Sequence, residues 1–295
     1  MAQPTFRVKI PLNPTQASSP TAVSMGTAGL LLNGVSLYSA DDGNSYNSSG
    51  IWKRNAYFFE AYSFDSSPGH ASVGTGSTGT VVDGLYHHHT LPILYGNASV
   101  TTSHSPLLGF ALDGYPIYGP YGYTTATDAT SAIKKLTTSY AAWSYSATSG
   151  ARTVWPSVST SVVKTGANIG PSLTTTYKLN TLSSTYTPLT SGAFLYDYVY
   201  TASSGDLDAY NMRFQVTPEY PAGIRCYIFT GTGTGATITD YPYLFGPGNF
   251  YGTVASTSTY VTVSETTTTY FLYSSAVNLK PFFLFGFSSF ILSIF

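Results

Sequence analysis

The sequence holds a single cysteine, Cys226, in 295 residues, so no disulfide can close within the chain. Its neighbours Tyr227 to Phe229 are strand formers, and the residue reads as a buried, unreactive thiol. Charge is almost as scarce: Lys, Arg, Asp and Glu are 8% of the chain, against about 25% in an ordinary soluble domain. Twelve basic and 13 acidic residues leave a net charge of −1. That excludes the clustered positive field on which nucleic-acid binding depends. Long apolar runs are absent before Pro281–Phe295, and those 15 residues fall short of the about 20 that span a bilayer as a helix. A membrane span is therefore not expected; the segment should pack on the domain or on another subunit. Met1–Ile10 lacks the apolar stretch of a secretion leader, so the expected way out of a cell is lysis or particle assembly. Phe6, Val8 and Ile10 alternate with Arg7 and Lys9, the pattern of a half-exposed strand.

What replaces charge is hydroxyl and aromatic surface: 26 tyrosines, 17 phenylalanines and long Ser/Thr-rich stretches, with 43% hydrophobic residues to build a core. Such a surface is common on extracellular and virion proteins. Short β-branched and aromatic runs alternate with turn clusters every 8–12 residues or so, which predicts an all-β, sandwich-like fold with at most a few short helices. Leu30-Leu31-Leu32, Asn33-Gly34 and Val35–Tyr38 read as a hairpin. Asp41–Gly50 reads as a polar loop and Lys53-Arg54 as a solvated pair. Phe194–Tyr200, Gly223–Thr230 and Tyr241–Phe245 read as strands. Ser131–Trp143 carries the best helical spacing, through Ile133, Leu136, Tyr140 and Trp143, and admits a helix. Gly74–Gly79 has dinucleotide-loop spacing but no helix after it, so it reads as a plain loop; Gly231–Gly235 is another. The expected organisation is a β domain over 1–252, followed by a Thr-rich strand segment and apolar tail over 253–295.

All five histidines, His70, His87, His88, His89 and His104, fall within about one eighth of the chain. On a strand, alternation places His87 and His89 on one face and Tyr86 and His88 on the other. An i, i+2 imidazole pair is a sound start for a metal site, and His70 or His104 with Asp113 could complete it. Imidazole suits divalent transition metals, zinc or copper foremost. The plain alternative is a polar surface strand. Ser103 and Ser105 flank His104 but face away from it on a strand, which excludes a Ser/His pair. Asp206 and Asp208 share a face at i, i+2 but read as loop and turn residues. With no catalytic constellation, an enzyme is not expected.

Tyr86-His87-His88-His89, Leu91-Pro92 and the block from Ser105 to Pro120, with its Asp113-Gly-Tyr-Pro-Ile-Tyr-Gly-Pro120, resemble the YHYH domain family. So do Asp197-Tyr198, Gly205-Asp-Leu-Asp208, Asn211, Arg213, Thr217–Pro221, Tyr241-Pro-Tyr243, Gly246-Pro247 and Tyr251-Gly252. The likeness spans most of residues 1–252. The family's Tyr-His-Tyr-His reads Tyr-His-His-His here, which changes only the Tyr86 face. Phe64–His70 keeps a Gly-His but has no cysteine. The resemblance implies a component of a tailed-phage virion (tail fibre, tail accessory or capsid-decorating protein) at the particle surface, with other virion proteins and further copies of itself as partners and a host-surface receptor as another. Two further readings stand beside it: an extracellular metal-binding protein or metal-dependent enzyme of bacterial type, and a carbohydrate- or receptor-binding module using exposed tyrosines.

Overall fold

A computed structural model describes residues 8–23, 25–75, 81–92, 102–145, 150–156, 163–178, 186–231 and 240–255. The class is all-β: the described residues contain one α-helix, Ala56–Glu60, and otherwise strands and short 3-10 turns. Eight strands form a mixed sheet, in the order Met212–Gln215, Ile224–Ile228, Pro116–Tyr118, Leu107–Ala111, Gly29–Leu31, Ser36–Leu37, Val81–His88, Gly69–Thr75. Neighbours run antiparallel, except that Ser36–Leu37 lies parallel to Val81–His88, and Pro116–Tyr118 parallel to Ile224–Ile228. The remaining strands pair two by two.

Local chemistry explains the centre of the sheet. Gly34 takes φ 85°, where a Cβ is disfavoured. The Asn33 side chain accepts the Val35 N–H, and Leu31 N–H donates to Val35 O at 2.9 Å. The hairpin expected at Asn33-Gly34 forms there, pairing Gly29 with Leu37 and Leu30 with Ser36. Alternation then divides the apolar residues between two cores. Ile117 and Tyr227 join Leu31, Leu37, Leu108, Met212 and Phe245 in one, while Tyr118, Cys226 and Ile228 join Leu136 and Leu207 in the other. Burial pushes the Cys226 thiol up to about 12.

Five local expectations are corrected. Ser131–Trp143 holds no helix: Ile133–Lys135 pairs with Tyr121–Tyr123, and Tyr140–Ala142 with Tyr198–Tyr200. One strand partner lies about ten residues back in the chain and the other almost sixty residues on, and pairing with them overrides a weak helical period. Phe194–Tyr200 is half strand: Leu195–Asp197 is a 3-10 turn, because the Asp197 carboxylate turns inward to accept the Gly192 and Phe194 N–H groups and Arg152. Tyr241–Phe245 forms turns, with Tyr243 in the left-handed region at φ 68°; Tyr241 and Tyr243 fill a tyrosine-rich core instead. Asp41–Ser45, expected as loop, pairs with Lys53–Asn55, and Arg54 is no free surface charge, since its Nε lies 2.7 Å from the buried Asp42 carboxylate. At the start of the chain, Val8 to Ile10 keep alternating exposure without strand pairing, and residues 1–7 lie outside the described part. Gly74–Gly79 falls mostly outside it as well, as do most of Gly231–Gly235, nearly all of the Thr-rich segment and the whole of Pro281–Phe295.

Candidate metal centre

The strand Val81–His88 sets the site. It pairs antiparallel with Gly69–Thr75, placing His70 directly opposite His87 and Gly69 opposite His88. On its other side Tyr38 N–H donates to His88 O at 2.9 Å, continuing the pairing with Ser36–Leu37. Alternation sends His87 and His89 to one face, and cross-strand pairing brings His70 beside them. Nε2 of His87 lies 3.0 Å from Nε2 of His70 and 3.0 Å from Nε2 of His89. A carboxylate stands beside two of the three. The helix Ala56–Glu60 is capped by Asn55, whose side chain accepts the Tyr57 N–H. Its last residue puts Glu60 Oε2 3.1 Å from His89 Nε2 and 3.7 Å from His70 Nε2.

The outer nitrogens decide the proton positions. His87 Nδ1 lies 3.0 Å from Leu85 O, and His89 Nδ1 lies 2.6 Å from Ser39 O. A carbonyl only accepts, so both Nδ1 atoms carry hydrogen. Ser63 spends its one proton on Glu60 O, so its oxygen accepts from His70 Nδ1 at 2.8 Å. In the neutral rings all three Nε2 atoms therefore present lone pairs to one another. Glu60 Oε2, itself buried, meets no hydrogen-bond donor. The surroundings oppose protonation of His87 and His70: burial, with His89 next to it, holds His87 down to about 3, and burial lowers His70. Tyr38 stacks on His87 at 3.8 Å, and Phe64 lies edge-on to His70 at 5.0 Å, walling the site with rings. Three imidazole lone pairs facing one another, with a carboxylate oxygen beside two of them, make a group that could hold a metal ion. Carbonyl or hydroxyl partners on each outer nitrogen are the usual second layer of a histidine metal site.

The opposite face has another job. Tyr86 OH donates to Asp65 Oδ2 at 2.6 Å, and His88 Nδ1 donates to Pro68 O at 3.1 Å. Asp65 also accepts the Ser67 and Gly69 N–H groups. These contacts latch the loop that leads into His70. A side chain at Gly69 would strike both the Tyr86 hydroxyl and the His88 ring.

Two expected site residues stand elsewhere. Asp113 does not join the histidine pair. It lies in the turn between Leu107–Ala111 and Pro116–Tyr118, and two strands separate that hairpin from Val81–His88. Its carboxylate accepts Tyr227 OH and Gly252 N–H, each at 2.8 Å, and burial raises its pKa. His104 is also apart, its Nδ1 donating to Ser105 O at 2.7 Å and its ring packed between Tyr118 and Tyr123. Asp206 pairs with Lys134 and Asp208 with Arg225, so they form no carboxylate dyad. Glu60 escaped the sequence reading. The available signal was that it is the lone charged residue between Arg54 and Asp65, inside an aromatic run ten positions before His70.

The family model described as YHYH protein matches residues 7–238. The chain belongs to the YHYH family. No curated protein and no solved structure matches it. In this YHYH chain the altered third letter of the motif, His88, sits on the latch face, and the two unaltered histidines are the ones in the cluster.

Proposed function

We propose that this YHYH protein binds a divalent transition metal, zinc or copper, through Nε2 of His70, His87 and His89, and serves as a structural component of a tailed-phage particle. One observation carries the metal reading: three imidazole lone pairs converge in a buried site, each ring fixed from behind by an acceptor. Neutral imidazoles that close repel unless a cation lies between them. The virion reading is supported by a composition rich in hydroxyl residues with few charges, which suits a protein packed among other virion proteins and further copies of itself. His104, Asp113, Asp206 and Asp208 each belong to separate structural contacts. A particle-surface position would make a host receptor a further partner.

Elemental analysis of the purified protein tests the first part, with close to one zinc or copper per chain expected and loss of it in the His87→Ala/His89→Ala double variant. Metal below a tenth of an equivalent after incubation with either ion overturns it. Mass spectrometry of purified particles tests the second part; a protein confined to the soluble lysate, and absent from particles, refutes the virion role while leaving the metal reading intact.

A further inference from the structure

The three imidazoles leave one vertex of a tetrahedral site, and we infer that Glu60 fills it, so that the centre is a closed cross-link between three chain segments with no position open to a substrate. This rests on the metal reading above. Bonds of about 2.0–2.1 Å to a tetrahedral ion place its ligand atoms ~3.3 Å apart. The imidazole contacts here are 3.0 and 3.0 Å, and Glu60 Oε2 lies 3.1 and 3.7 Å from two of the three nitrogens, those of His89 and His70. The Glu60 oxygen is buried and meets no hydrogen-bond donor.

The carboxylate also comes from a separate element. His87 and His89 belong to and follow the strand Val81–His88, His70 lies on its neighbour, and Glu60 ends the helix Ala56–Glu60. One ion thus ties the helix to the edge pair of the sheet, as closed structural sites do, whereas catalytic sites keep one position for water. The donor set, three imidazoles and one oxygen without thiolate, suits zinc or divalent copper more than a soft monovalent ion.

The test uses the full chain loaded with cobalt(II), whose visible bands report coordination number. Wild type should show the intense bands of a four-coordinate ion, unmoved by added azide. Glu60→Gln should either lose the cobalt with its circular dichroism unchanged, or keep it with altered bands that azide shifts further. Azide-sensitive bands in the wild type, or a Glu60→Gln spectrum and affinity equal to wild type, overturn the closed centre while leaving the three-histidine site standing. Should Glu60→Gln fail to fold, the wild-type azide titration decides alone. No cobalt bound by wild type under any of these conditions sinks the metal reading itself, and this inference with it.

Discussion

Arg152→Met should destabilise the fold more than almost any other single change. The Arg152 and Asp197 side chains are both fully buried and joined by Nε–Oδ1 at 2.7 Å and Nη2–Oδ2 at 3.0 Å. Arg152 also donates to Pro171 O and Leu189 O, each at 2.8 Å, and to Thr190 O at 2.6 Å. Asp197 in turn accepts Tyr145 OH, Gly192 N–H and Phe194 N–H. A methionine fills much of the volume and removes the charge, so the loss is electrostatic more than steric. Leaving one member of such a pair alone in the interior costs about 3–5 kcal/mol. The stranded carbonyls add to this without simple additivity. With total stabilities of about 5–15 kcal/mol usual for a domain, the variant sits near the edge of folding, and a midpoint lower by roughly 6–20 °C follows for a chain of this size. The effect reaches the site as well. Gly192 O and Ala193 O hold Asn55 at 2.9 Å each, and Asn55 caps the helix that ends in Glu60. Urea unfolding followed by tryptophan fluorescence measures the change, since buried Trp52 packs edge-on against Phe194. A loss under about 1 kcal/mol with an unchanged m-value would falsify the reasoning: the pair would then barely recover its own desolvation.

Single replacements of His87 and His89 by Ala should each remove most metal affinity, and His88→Ala far less, because His88 faces the Asp65 latch; equal losses in a competition titration with a chelating dye refute the face assignment. Metal-free protein should lose stability on acidification. His87 drops from 6.5 to about 3 on folding, so below pH 6.5 the unfolded chain takes up a proton that the folded chain refuses. The loss, on the order of 2–3 kcal/mol by pH 4, grows until the folded pKa is reached, and a His87→Gln variant with the same pH slope contradicts it. Tyr86→Phe should cost about 1 kcal/mol by removing the hydrogen bond to Asp65, with metal retention weakened through the His70 loop; thermal melts with and without zinc check both. Cys226, buried and pushed up to about 12, should resist a disulfide-exchange reagent in the folded state and react at once in denaturant; prompt labelling of native protein counts against the burial.

Several features were legible because they depend on neighbours in the chain. The Asn33-Gly34 hairpin follows from backbone conformations that only certain residues tolerate. The common face of His87 and His89 follows from a side-chain period of two, whatever the strand pairs with. The all-β class follows from the same period repeated. What the tertiary structure alone decided is which remote residues meet. Register between two strands made His70, and not His104, the partner of His87. Sheet order put two strands between Asp113 and the histidines. Glu60 arrived from a helix whose place is set by the Asn55 cap and by the loop at Gly192 and Ala193. Ser131–Trp143, helical in spacing, became two strands because Tyr121–Tyr123 and Tyr198–Tyr200 offered hydrogen-bond partners, and a local period carries no information about partners some ten to sixty residues away.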